Sequence, residues 1–253
     1  MVIESSVEDR EKVRNKKVLL YSQGMDSVMY AHLLHPDILL NIDCNIGYEK
    51  EEAKRLYSVA KKIGLEDRVK VVEDFFDFSS IERKDYIVPN RNAYLILKAS
   101  EYGETVYLSS VEGDRSTDKD EEFYKIMKGL LDHIWLPQHW SEQRIFDISA
   151  PFKHMTKTEL LKLYLEKNGS VEAIEESYSC YQGEKIPCGI CKPCGRKWVA
   201  MENNNLNTTN YFQNEPWKAP WIDEILPKIL KHEYRGREDS DMIQALKKVG
   251  RIK

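Results

Sequence analysis

The sequence predicts an α/β fold: a doubly wound, mostly parallel five-stranded sheet followed by a small C-terminal helical region. Two observations predict it. Short apolar runs alternate with stretches of helical periodicity over residues 18–148, which favours parallel strands with helices on both faces. Four of the five cysteines then crowd into residues 180–194, where proline and glycine concentrate. We therefore expect a sheet domain over 1–168 and a cysteine-stapled helical region over 169–253.

The individual elements follow from apolar runs and their spacing. The predicted strands are 18–21, 38–42, 69–72, 105–109 and 145–148. Amphipathic spacing predicts helices at 27–34, 53–63, 93–102 and 123–131, and a capping box opens another over 156–167. Residues 201–214, rich in Asn and Thr, predict a loop, and 217–253 predict charged helices with proline breaks. Because ligands bind at the carboxyl ends of such strands, the loops 22–27, 43–48 and 109–120 are expected to meet at one pocket.

The junction after the first strand is the most informative local feature. Residues 22–27 read Ser-Gln-Gly-Met-Asp-Ser and lead into an apolar helix. The free N–H groups of a helix N-terminus favour phosphate, the hydroxyls of Ser22 and Ser27 add donors, and Asp26 can hold a metal ion that accompanies phosphates. The loop contains no lysine, so it is not a Walker-type nucleotide loop. It resembles the pyrophosphate loop (PP-loop) of enzymes that split ATP into AMP and diphosphate; the alternative is an ordinary strand-to-helix turn.

Composition and charge restrict the partners. The formal net charge is −4, which argues against a mainly electrostatic nucleic-acid binder. No segment approaches the roughly 20 apolar residues that a membrane span needs, and the start of the chain is charged, unlike a secretory signal. We expect a cytoplasmic protein with no membrane partner and no direct nucleic-acid partner.

The cysteine cluster has the spacing of a metal site. Cys180-x7-Cys188-x2-Cys191-x2-Cys194 lets one loop wrap a single tetrahedral ion. Four sulfur ligands leave no open position, so a structural zinc ion is expected, with an iron–sulfur cluster as the alternative. Cys44 stands apart at the end of the second predicted strand, and it is interpreted as a buried small residue rather than a nucleophile.

The motifs and their order resemble the 7-cyano-7-deazaguanine synthase (preQ0 synthase) family of queuosine biosynthesis, within the PP-loop ATP pyrophosphatase superfamily. The family pattern Ser-Gly-Gly-x-Asp-Ser is matched at 22–27, and Val-Pro-Gly-Arg-Asn is matched at 88–92 by Val-Pro-Asn-Arg-Asn. The family's Pro-Leu and Thr-Lys elements correspond to 151–152 and 156–157. The Ser-Cys-Tyr, Cys-Gly-x-Cys-x-x-Cys and Arg elements are matched over 179–196.

This resemblance implies a PP-loop (adenine nucleotide alpha hydrolase-like) sheet with a zinc-stapled helical region. It implies that 7-carboxy-7-deazaguanine and ammonia become 7-cyano-7-deazaguanine (preQ0) through adenylated intermediates, with ATP, Mg2+ and structural zinc. The implied catalytic residues are Ser22, Asp26, Ser27 and Arg91. The implied nucleotide-binding residues are Tyr21, Ser22, Gln23, Gly24, Met25, Asp26 and Ser27. The implied base-binding residues are Asp114, Ser116 and Asp120, and the implied zinc ligands are Cys180, Cys188, Cys191 and Cys194.

The chain also departs from the family pattern. Gln23 replaces a loop glycine, and its side chain is expected either to narrow the phosphate site or to change the backbone geometry. Residues 111–120 lack the Tyr-Pro and Cys-Arg elements of the family's substrate loop. Three alternatives stay open: a deazaguanine ligase that stops at the amide or uses another amine, a tRNA-modifying or sulfur-transferring PP-loop enzyme, and a zinc-stapled binding protein with a decayed loop. Exposed Trp and Tyr residues of the tail are expected to form a homodimer face.

Overall fold

A parallel five-stranded sheet forms the centre of the molecule. The structure is a computed structural model that describes residues 13–46, 51, 53–73, 76–84 and 87–253. Within these residues the strands are β1 (Lys17–Leu20), β2 (Ile38–Ile42), β3 (Val69–Val72), β4 (Thr105–Tyr107) and β5 (Asp147–Ser149). Their spatial order is β3-β2-β1-β4-β5, and every pair is parallel. The predicted fold class is confirmed.

The central strand shows why helices cover both faces of the sheet. Val18 of β1 pairs in register with Ile38 on one side and with Val106 on the other. Successive side chains of a strand point to opposite faces, and Val18 and Leu19 lie in two different apolar cores, both fully buried. A strand that is apolar at consecutive positions therefore needs a helical layer on each side.

The helices lie close to their predicted positions over the sheet region. The described α-helices are α1 (Met25–Leu34), α2 (Leu56–Lys62), α3 (Arg91–Ala99), α4 (Glu121–Ile134), α5 (Lys157–Glu166), α6 (Val171–Glu176), α7 (Lys192–Asn203), α8 (Pro220–Ile229) and α9 (Arg237–Lys248). The capping box that was expected at Thr156 is present and begins α5. Within the described residues, no helix has both the length and the apolar character to cross a bilayer.

The region after α5 was predicted least well. The loop expected over 201–214 is partly wrong, because α7 continues to Asn203. Pro193 lies in the first turn of α7, where proline's missing N–H costs no hydrogen bond. A proline that suggests a turn in a cysteine-rich stretch thus begins a helix.

The C-terminal segment has its own apolar core, and its aromatic residues are used there. Trp198 of α7 is fully buried among residues of α8 and α9, and its ring centroid lies 5.7 Å from that of Trp217. Trp221 packs against the same core and donates its indole N–H to the carbonyl of Ile190 at 2.9 Å. Trp217 and Trp221 of the tail are therefore both partly buried inside this segment. The expectation that tail tryptophans form an exposed dimer face is corrected for these two residues.

Lys197 joins α7 to the segment that follows α6. Its side chain is buried, and its ammonium donates to the carbonyls of Ile174 and Ser177 at 2.7 and 2.6 Å. It also donates to the Tyr211 hydroxyl at 2.5 Å. Burial lowers the pKa of Lys197 well below its ordinary value. The four oxygen atoms, including the Ser177 hydroxyl at 2.9 Å, satisfy an amine that water does not reach.

Candidate active site

A cleft of about 710 Å³ opens at the carboxyl ends of the strands, and we call it the strand-end cleft. The loops after β1, β2 and β4 all line it, as the parallel topology requires. Of the expected loop 43–48, residues 47 and 48 lie outside the described residues. The beginning of α7 and Arg235 from the tail complete the wall. The cleft is therefore shared between the sheet and the cysteine-containing region.

The loop after β1 has the shape of an anion-binding turn. Gly24 is the N-cap of α1, so the first N–H groups of that helix face the strand-end cleft. The Ser22 side chain is exposed, and its hydroxyl accepts the Gly24 N–H at 3.3 Å. Ser27 is buried and donates its hydroxyl to the Gly24 carbonyl at 2.9 Å. Ser22 is thus the more accessible hydroxyl, whereas Ser27 stabilises the turn.

Gln23 lies in this loop but outside the lining of the strand-end cleft. Its φ is +53°, in the left-handed region where glycine is favoured. The side chain is fully buried, and its amide oxygen accepts the Tyr178 N–H at 3.2 Å. The expected narrowing of the phosphate site by the Gln23 side chain is therefore wrong, and the expected change of backbone geometry stays a prediction. Gln23 instead ties the loop to the segment that precedes the cysteine cluster.

Asp26 is paired with Lys157, a residue outside the predicted site. Lys157, at the first turn of α5, donates its ammonium to Asp26 Oδ2 at 2.7 Å, and both residues line the strand-end cleft. The other oxygen, Asp26 Oδ1, is buried and has no hydrogen-bond partner among the described residues. A buried carboxylate oxygen without a partner is available to a cation or a donor on a ligand. The Thr-Lys element at 156–157 was the signal that could have identified Lys157.

A second network of charges surrounds Asp114. The Asp114 side chain is 11% exposed, and Arg196 donates to it at 2.9 Å while Lys119 lies 3.3 Å away. Burial would raise the pKa of Asp114, but Lys119 and Arg196 hold that pKa well below its ordinary value. Arg196 also forms a bidentate pair with Glu238 of α9, at 2.7 and 3.1 Å. Burial raises the pKa of Glu238 despite this pairing.

The remaining predicted residues divide into two groups. Arg91 begins α3 and lines the strand-end cleft, together with Asp114. Ser116 and Asp120 do not line it. Ser116 is exposed and donates to Asp118, and Asp120 is the N-cap of α4, where it accepts the N–H of the third residue of that helix at 2.8 Å. The basic residues that line the cleft are Arg91, Lys119, Lys157, Lys192, Arg196 and Arg235.

The four clustered cysteines come together as their spacing predicts. Their sulfur atoms all lie within 4.8 Å of one another. A tetrahedral zinc ion with Zn–S distances of about 2.3 Å holds its sulfurs roughly 3.8 Å apart, so the arrangement fits one ion. The N–H groups of Gln182 and Cys188 point at Cys180 Sγ, at 3.4 and 3.3 Å, as expected for a thiolate. The cluster can therefore hold a metal ion such as zinc.

Cys44 is separate from this cluster. Its side chain is buried, and its thiol donates to the Ile42 carbonyl at 3.6 Å. It belongs to the apolar core on one face of the sheet and also borders the strand-end cleft. This agrees with the interpretation of Cys44 as a small buried residue.

A parallel sheet whose first strand opens through a Ser-x-Gly-x-Asp-Ser loop into a helix, beside a four-cysteine cluster, defines a PP-loop protein. The family model of the queuosine biosynthesis protein QueC matches residues 16–205, and the chain belongs to this family. It is therefore an enzyme of a family associated with queuosine biosynthesis and with small-molecule substrates.

Curated relatives match this chain over most of their own length. The chain is 25% identical over 230 residues to a 7-cyano-7-deazaguanine synthase of Chlorobaculum tepidum, covering 79% of this chain and 98% of that protein. It is 25% identical over 227 residues to the synthase of Methanosarcina barkeri, covering 74% and 94%. It is 24% identical over 231 residues to the synthase of Campylobacter concisus, covering 80% and 99%. Residues 206–253 lie beyond the match to the family model.

Proposed function

We propose that the protein converts 7-carboxy-7-deazaguanine, ammonia and ATP into 7-cyano-7-deazaguanine in the strand-end cleft. The observation that carries this proposal is the position of the 22–27 loop: it faces a cleft lined by six described basic residues, in a chain of the QueC family.

The chemistry of the proposed reaction begins at the carboxylate of the substrate. A carboxylate is a poor electrophile, so one of its oxygens must first be adenylated, with diphosphate leaving. Ammonia then displaces AMP to give an amide. A second ATP adenylates the amide oxygen with release of diphosphate, and departure of AMP together with loss of the two N–H protons leaves the nitrile.

The protein's part in this chemistry is positioning and charge stabilisation. The N–H groups at the start of α1 and the exposed Ser22 hydroxyl are proposed to hold the diphosphate. Asp26 Oδ1, buried and without a partner among the described residues, is the proposed ligand of a magnesium ion, which would neutralise phosphate charge. Arg91 and Lys157 line the cleft and are proposed to balance charge on the phosphates or the substrate carboxylate.

Asp114 is the proposed contact to the base. A carboxylate offers about four acceptor sites. The Lys119 ammonium, the Arg196 guanidinium and the Val111 N–H use three of those of Asp114, which leaves capacity for one N–H group of a guanine-like ring. The cysteine cluster is proposed to hold structural zinc, because four sulfur ligands leave no position for a substrate. Ser116 and Asp120 are not assigned to base binding here, because both lie outside the lining of the cleft.

The test is product analysis with the purified, metal-loaded protein. We expect ATP, Mg2+, ammonium and 7-carboxy-7-deazaguanine to give the nitrile by mass spectrometry, with AMP released. The Asp26→Asn variant is the matched control for loop chemistry and should form little product. AMP release without any change in the base would contradict the proposal.

The amide-forming alternative has one observation in its favour. The loop 111–120 departs from the family pattern, and it contacts a tail that lies beyond the family match. A different base site could stop the reaction at the amide or admit another amine. The same experiment separates the two, since an amide product is one water heavier than the nitrile.

We also propose a cytoplasmic homodimer that uses the outer face of α4. Ile126, Leu130 and Ile134 recur at helical spacing on this face and are 59%, 43% and 47% exposed. Such an apolar stripe favours burial against a second copy. Light scattering should give twice the chain mass, and Ile126→Asp should give a monomer.

A further inference from the structure

The loop 111–120 contacts the tail 206–253, which lies beyond the match to the family model. Arg235 of the tail donates to the carbonyl of Gly113, and Arg237 donates to the Glu112 carboxylate at 2.7 Å. Their contact lies at the wall of the strand-end cleft, since Asp114 and Arg235 both line it.

Glu238 is the centre of this contact. It accepts from Nε and Nη2 of Arg196, and Nη1 of the same guanidinium donates to Asp114 at 2.9 Å. A guanidinium is planar and rigid, so a bidentate pair on one edge fixes the direction in which the third nitrogen points. Glu238 therefore determines where Arg196 holds Asp114, although it does not itself line the cleft.

The loop is shaped to admit Glu238. Gly113 has φ +87°, and a Cβ atom there would lie 2.3 Å from Glu238 Oε2. Any other residue at 113 would displace the carboxylate or the loop. The present position of the Glu238 carboxylate therefore depends on a glycine at 113.

We propose that Glu238 is a positioning residue for the base site: acting through Arg196, it holds Asp114 for contact with a guanine-like ring. This rests on the proposed function for the identity of the ligand. The loop holds the Arg196 guanidinium through one hydrogen bond, from Nη1 to Asp114, whereas the tail holds it through two, from Nε and Nη2 to Glu238.

The test compares Glu238→Gln with Glu224→Gln, an equal change of charge at an exposed position of α8. We expect Glu238→Gln to raise the KM for 7-carboxy-7-deazaguanine roughly tenfold or more, since a hydrogen bond between charged groups is weakened. The KM for ATP should stay within about twofold, because the 22–27 loop is not part of this contact. Glu224→Gln should match the wild type in both constants.

A second measurement needs no substrate. Hydrogen exchange of peptides that cover 111–118 should be faster in Glu238→Gln than in the wild type, and unchanged in Glu224→Gln. Gly113→Ala disrupts the same contact from the loop side. It should reproduce both the higher KM for 7-carboxy-7-deazaguanine and the faster exchange of 111–118. Equal shifts in the KM values for base and ATP, or unchanged exchange of 111–118, would overturn the inference. A wild type that makes no converted base would overturn the proposed function, and the exchange result would still decide whether Glu238 holds the loop that carries Asp114.

Discussion

The two walls of the strand-end cleft are built by different forces. On the sheet side, the loops follow strands whose backbone groups pair with parallel neighbours and whose side chains fill two apolar cores. On the other side, Arg196 extends from a helix that begins at the cysteine cluster, and Arg235 comes from a tail with a small core of its own. The first wall depends on backbone pairing and apolar burial, and the second on thiolates and ion pairs.

This difference predicts different sensitivities. Hydrogen bonds between strands persist when one side chain changes, so the sheet wall should tolerate substitution at its edges. The second wall depends on a few polar groups, and removal of one partner leaves the other buried and unsatisfied. Three predictions test this contrast, beginning with the largest effect.

Loss of the metal should affect the two walls differently. Cys188→Ser removes one of four ligands, and we expect it to abolish binding of about one zinc ion per chain. In small zinc domains such an ion contributes on the order of 10 kcal/mol to folding, so the cysteine region should lose its structure while the sheet remains folded. Metal analysis and far-UV circular dichroism, with hydrogen exchange over 180–205, measure both effects.

Cys44→Ser is the matched control, since it removes a buried thiol from the sheet core. It should keep the full metal content. Equal metal loss in the two variants, or an intact cysteine region without metal, would contradict the contrast between the walls.

Lys157 connects the two walls, because it binds Asp26 of the β1 loop and lines the strand-end cleft together with Lys192 and Arg196 of α7. Lys157→Met leaves the Asp26 carboxylate without its cation, and we expect kcat/KM for ATP to fall roughly 100- to 1000-fold. Lys162→Met, at an exposed position of the same helix, should retain wild-type activity. A similar decrease in both variants would show that helix stability, rather than the ion pair, is responsible.

The smallest effect is expected at Gln23. Gln23→Gly removes the contact with Tyr178 but relieves the left-handed backbone, so the free energy of unfolding should change by less than about 1 kcal/mol. Gln23→Ala removes the same contact and keeps the strain, so it should be less stable than the glycine variant by about 1 kcal/mol. Urea titrations measure both. Equal stabilities would show that the backbone conformation at 23 carries no cost.

The sheet could be predicted from the sequence because its signals are local. Apolar runs, capping residues and loop motifs each occupy a few consecutive positions, and the cysteine spacing fixes a cluster within one segment. Charged partners were not predictable in this way. Asp26 and Lys157 are 131 positions apart, and Arg196 and Asp114 are 82 apart, so no local pattern joins them.

Asp120 shows a different limit. An acidic residue in a polar loop has the same appearance in sequence whether it faces a ligand or caps a helix. The structure puts it at the start of α4, three residues before Phe123, whose N–H it accepts. The amphipathic pattern that begins near residue 123 predicts a helix, and a helix needs an N-cap residue, so this requirement is the signal in the sequence that points to the capping role of Asp120.

The burial of Lys197 has a practical consequence for chemical labelling. An amine-reactive reagent modifies lysines that solvent reaches, and the Lys197 side chain is enclosed with four oxygen partners. In the native protein it should stay unmodified while exposed lysines such as Lys162 react. The rate at which Lys197 becomes modified therefore reports how often the contacts between α7 and the segment that follows α6 open, without a spectroscopic probe.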